Sequence, residues 1–203
     1  IVQARIADGL KACKFGQVVA LKALAGEAVS GEEATSFQSL ASESVARAIM
    51  GKNMFGVADA IRHYKVNPTK KELVKLEEIP FGEATLRACA NTHVLVADFG
   101  LSVMDVWEQY TQLFYNKSDP VYSEKDQAKW ARKRVKAQWR LLRKEAVPNS
   151  FSKDFRGQEG LLGKGEEIPE AREMVYMVIG HYLTSGEKLL PVYYARTKSL
   201  SGA

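Results

Sequence analysis

The stretch SEKDQAKWARKRVKAQWRLLRKEA, residues 123–146, decides how this chain is read. Nine of its residues are Lys or Arg, three are acidic, and Trp130 and Trp139 sit among them. Ser123 stands where a helix cap belongs and Pro148 cannot continue a helix, so the spacing predicts one helix over 123–146. At about 100° per residue, Ala128, Ala131, Val135, Trp139, Leu142 and Ala146 share a narrow apolar stripe that would pack on the body. Lys125, Lys129, Arg132, Lys133, Lys136, Arg140, Arg143 and Lys144 fall together on one flank, while Arg134 and Trp130 point elsewhere. At a rise of about 1.5 Å per residue that flank is a cationic strip about 30 Å long.

Like charges three and four apart on a helix repel, each pair costing a few tenths of a kcal/mol, roughly. A helix selected for stability alone would intersperse glutamates, yet Glu124, Asp126 and Glu145 sit only near the ends. The plain alternative is a solvated charged face. The sharper expectation is a track for a polyanion, with nucleic acid the natural ligand because phosphates recur along it and bound counterions are released. An anionic membrane surface fits less well: insertion needs bulky apolar residues opposite the charges, and that face is mostly Ala and Val.

The rest of the chain frames this segment. It has 203 residues, 46% hydrophobic and 26% charged, an ordinary globular composition with length enough for a core. Residues 1–120 hold 13 Lys and Arg against 14 Asp and Glu, a net −1, while residues 121–203 hold 16 against 10, a net +6. The basic character is therefore local. Cys13 and Cys89 are too few and too far apart for a disulfide framework or a cysteine zinc site, which suits free thiols in a reducing, cytoplasmic compartment, or a virion for a coat protein. No apolar run approaches the roughly 20 residues that span a bilayer, so no membrane partner is expected.

Periodicity reads as helical almost throughout. Ser30 with Glu33 and Thr69 with Glu72 form capping-box patterns. A helix over residues 53–66 ends at Asn67-Pro68, and the run from Glu83 to Tyr115 reads as two helices meeting near Phe99-Gly100. Pro169 opens a last helix to about Leu183, with Gly186 as its stop. Residues 147–168, rich in glycine, read as a loop. The expectation is an all-α, multi-helix fold, either one domain or an N-terminal lobe (1–117) and a C-terminal lobe (118–203).

Catalytic signatures are missing. GLLGKGEE lacks the glycine and the hydroxyl residue of a phosphate loop. His63, His93 and His181 have no metal-ligand spacing, and His93 and His181 read as core histidines in apolar helices. Trp107, Tyr110 and Phe114 form a packing stripe. No catalytic residue, metal or cofactor is expected. Two further basic groups are weaker candidates for backbone contact: Arg62, Lys65, Lys70 and Lys71, with Tyr64 available to stack, and Lys153, Arg156 and Lys164 in the glycine-rich loop.

These features converge on a non-enzymatic protein that grips single-stranded RNA or another nucleic acid by its phosphates, largely independent of sequence. Apolar ends, Ile1–Leu10 and Leu189–Tyr194, extend this to a homo-oligomer that coats a strand, in the manner of nucleocapsid and coat proteins. The alternative is a helical adaptor holding an acidic protein through the same strip.

Overall fold

The computed structural model describes residues 43–118, 128–190 and 195–199. Lys125, the capping pattern at Ser30 and the apolar segment Ile1–Leu10 lie outside the described residues. Residues 43–50 are helical and lead through a 3-10 turn, Gly51–Asn53, into strand β1 (Met54–Phe55). Three helices follow: α1 (Val57–Tyr64), α2 (Lys70–Glu77) and α3 (Glu83–Cys89). Then come β2 (His93–Asp98), α4 (Val103–Tyr110), α5 (Ala128–Ala131), β3 (Gln138–Arg143), α6 (Phe155–Glu159) and α7 (Ala171–Ser185).

The fold is mixed α/β, which corrects the all-α expectation. A three-stranded sheet runs in the order β1-β2-β3, with β1 parallel and β3 antiparallel to β2. The run from Glu83 to Tyr115 is helix, strand, helix, because His93–Asp98 is buried at every position. A central strand buried on both faces loses the polar alternation that marks a strand, and reads like a buried helix.

The same correction applies to the basic segment. Among the described residues, helix covers only Ala128–Ala131, and Gln138–Arg143 is β3, paired with β2 through Ala97–Trp139 and Val96–Arg140. Successive side chains of a strand face opposite ways. Trp139 is buried and its indole Nε1 donates to the Leu76 carbonyl of α2 at 2.9 Å. Arg140, one residue on, reaches Glu173 of α7 at 2.6 Å. Helices α2 and α7 therefore cover opposite faces of the sheet at β3.

Local signals place the helices well. Thr69 and Glu72 close the capping box of α2, with the Thr69 backbone N–H donating to Glu72 Oε2 at 2.8 Å. Ser102 and Asp105 do the same for α4. Helix α7 stops where Gly186 adopts a left-handed φ of 72° and its N–H donates to the Tyr182 carbonyl. At the centre, Tyr64 and Tyr176 rings lie 4.6 Å apart beside Phe55, and each hydroxyl finds a backbone carbonyl, Tyr176 and Ala97 respectively. Leu189 is buried in this chain's own core.

Candidate nucleic-acid interface

Residues 128–137 form a short, strongly basic connection into β3. Ala131 and Ala137 are fully buried and Val135 half-buried, which ties the segment down at both ends and in the middle. Between these anchors Arg132, Lys133, Arg134 and Lys136 are exposed, as is Lys129 just before them. The Lys133 N–H donates to the Trp130 carbonyl at 3.2 Å, and the Val135 N–H donates to Gly100 at 3.1 Å. These bonds fix the cations just beyond the carboxyl end of β2.

Lys125 aside, the expected cations separate into different roles. Arg140 pairs with Glu173 at 2.6 Å and faces Glu167 at 3.5 Å, Arg143 pairs with Glu166 at 3.2 Å, and Lys144 donates to Asn53 Oδ1 at 3.2 Å. These three tie the sheet to its surroundings. Lys133 reaches Glu170 at 3.2 Å. Arg132 and Lys136 are exposed and meet no acid among the described residues. Because β3 sends alternate residues to opposite faces, the seven of them that are described do not form one flank. The strip expected on a helix is replaced by the exposed group Lys129, Arg132, Lys133, Arg134 and Lys136.

Arg134, placed off the strip by the helical reading, sits at the head of a cleft. Its guanidinium grips the Asp105 carboxylate with two hydrogen bonds, Nε to Oδ2 at 2.7 Å and Nη2 to Oδ1. Asp105 is held in turn by the Ser102 backbone N–H and hydroxyl, both at 2.8 Å. Burial opposes its ionisation, but Arg134 and Ser102 outweigh burial and keep its carboxyl below the usual range. The cleft beyond has a volume of about 460 Å³ and lies between the end of α1 and the residues after β2. It is lined by Tyr64, Lys65, Val66, Asn67, Pro68 and Glu72 from the end of α1 and the start of α2, by Phe99 and Leu101 just past β2, and by Asp105, Glu108, Gln109 and Arg134. A position past the carboxyl end of a strand is where α/β sheets commonly hold ligands.

Lys65 thus joins Arg134 at one cleft. Tyr64 cannot stack on a base as expected from the sequence: it is 2% exposed and its hydroxyl is committed to the Tyr176 carbonyl. Lys153, Arg156 and Lys164 are exposed around α6 and do not line the cleft. The cleft's own residues had local signals only: Asn67-Pro68 as a helix stop and Ser102 with Asp105 as a cap. Their convergence depends on β2 being a strand.

Two histidines differ from each other. His93 lies in β2 with Nδ1 2.8 Å from the Thr92 hydroxyl. His181, in α7, is 1% exposed with both ring nitrogens lacking a hydrogen-bond partner among the described residues, and Nε2 stands 3.6 Å from Glu187. Among the described residues, no group of three or more His, Cys, Asp or Glu is placed to hold a metal ion, and no helix is long and apolar enough to cross a membrane. No protein-family model, curated protein or solved structure matches this chain.

Proposed function

We propose that this protein binds the phosphate backbone of single-stranded nucleic acid, RNA in the first instance, largely independent of sequence and without catalysis. The observation that carries the reading is the exposed basic connection into β3. Arg132 and Lys136 extend into solvent with no acid beside them among the described residues, while Arg140 and Arg143 are consumed by carboxylates. Uncompensated cations held on an anchored backbone cost self-repulsion that an anionic strand relieves. Coating of the strand by copies of the chain, through its apolar end Ile1–Leu10, is part of the same proposal.

The test is fluorescence anisotropy of a labelled mixed-sequence RNA at several salt concentrations. The two cations without an acid partner among the described residues, Arg132 and Lys136, predict log affinity falling with log salt at a slope of about −1.4 or steeper for a single strand. Arg132→Glu with Lys136→Glu should weaken binding at low salt and flatten that slope by about 1.4 or more. Sedimentation with and without RNA reads the assembly. Failure to bind at low salt, or an unaltered slope in the double variant, overturns the reading.

A further inference from the structure

We infer that the cleft headed by Arg134 takes one unstacked base of the bound strand and prefers guanine. The inference rests on the backbone reading above and adds what a neutral groove would not supply, a site for the base itself. A strand lying along Arg132, Arg134 and Lys136 passes the mouth of the cleft, because Arg134 belongs to both. The volume of about 460 Å³ is in the range of small-molecule sites and holds a nucleoside.

Charge decides which part of a nucleotide enters. Arg134 and Asp105 neutralise one another through their two hydrogen bonds. That leaves Lys65 against Glu72 and Glu108, so the interior carries a net negative charge and repels phosphate. The same carboxylates welcome N–H donors. Phosphate therefore stays on the rim, with Arg132 and Lys136, and the base turns inward. Single-stranded RNA is commonly read this way, with splayed bases packed on side chains and bonded at their Watson–Crick edges. Phe99, Leu101 and Pro68 provide apolar surface for the ring.

Three carboxylates line the cleft: Glu72 is committed to Thr69 and Asp105 to Arg134 and Ser102, which leaves Glu108. Glu108 is exposed and makes no hydrogen bond to the described residues, so both of its oxygens are available. Gln109 beside it gives one amide N–H to the Asp105 carbonyl at 3.3 Å and keeps its carbonyl oxygen as a further acceptor. Guanine presents two adjacent donors, N1–H and the N2 amino group, that match the two oxygens of one carboxylate. Uracil offers a single N3–H flanked by two carbonyls, which face the same carboxylate with repulsion. Adenine and cytosine present one amino group beside a ring acceptor and fall between.

The experiment compares two labelled RNAs, a nine-residue oligouridine and the same oligomer with a central guanine, by anisotropy on the full chain. The guanine oligomer should bind about tenfold tighter, the discrimination a good two-bond base contact gives. Glu108→Gln, at an exposed position, replaces one acceptor by a donor and should abolish the difference between the two RNAs. Equal binding of both by the parent protein overturns the base site and leaves the backbone reading intact. A guanine preference that survives Glu108→Gln overturns its assignment to this cleft. Binding of neither RNA overturns the backbone reading, and the base site with it.

Discussion

Gly100 and Val135 hold the basic segment against the end of β2. The Val135 N–H donates to the Gly100 carbonyl at 3.1 Å, Gly100 has a φ of 72°, and a Cβ built on it would overlap the Val135 carbonyl. A side chain at position 100 therefore meets two penalties, left-handed backbone and collision with main chain that cannot rotate away. Gly100→Ala is expected to lose at least about 1–2 kcal/mol in urea denaturation from the backbone term alone. It should also weaken RNA binding by displacing residues 132–136. Wild-type stability in that variant would show that the two segments part freely.

Cations of the same segment separate into two classes when reversed. Arg132→Glu and Lys136→Glu change exposed side chains without an acid partner among the described residues, and stability should move by no more than about 0.5 kcal/mol. Arg140→Glu sets a glutamate against the buried Glu173 and should be destabilising by several-fold more than either. Thermal melts of the three variants check this. An Arg140→Glu protein as stable as the other two would remove Arg140 from the interior network.

Asp98 and Arg172 form a buried pair at 2.8 Å, 1% and 3% exposed. Asp98 also accepts the Gly100 N–H at 2.8 Å, and Arg172 shares Glu173 with Arg140. Asp98→Ala leaves a guanidinium in the core and is expected to cost about 3 kcal/mol by chemical denaturation. Replacing Arg172 by Met in the same chain should recover part of that loss, since the charge left behind, not the missing contact, is the main expense. A double variant no more stable than Asp98→Ala alone would contradict this.

His181 gives stability a dependence on pH. Burial lowers its proton affinity first; Glu187 opposes this, and Lys144 and Lys52 reinforce it. With the folded value below the unfolded one, the unfolded chain binds the extra proton, so stability rises with pH across that window. The contribution is full above the ordinary histidine value of about 6.5 and is lost as pH falls through the folded value. His93 is displaced the same way, by burial and Arg143 against Glu166, and Glu187 and Glu166, held below the carboxylate range, act at lower pH. Urea midpoints for the parent and His181→Gln should converge as pH drops from 7.5 to 5.5. Parallel curves would place His181 in solvent.

Reading the chain residue by residue recovers what is encoded within a turn or two. Thr69 with Glu72 opens α2 and Gly186 ends α7, because a cap or a left-handed glycine acts on its own backbone. The burial of Trp139 was also legible from its apolar company, although its element was not. The cleft was invisible, since Lys65, Phe99 and Arg134 lie far apart in the chain and meet only through the sheet.

The sequence by itself determined the start of α2 and the stop of α7, the concentration of positive charge after residue 123 and the apolar identity of the core segments. Only the tertiary structure decided that 93–98 and 138–143 are strands. A strand takes its hydrogen bonds from another segment, so His93–Asp98 and Gln138–Arg143 each needed the other, about 40 residues away, to exist. The pairing turned the expected helical row of cations into alternating faces, sending Arg140 to Glu173 and leaving Arg132 and Lys136 in solvent.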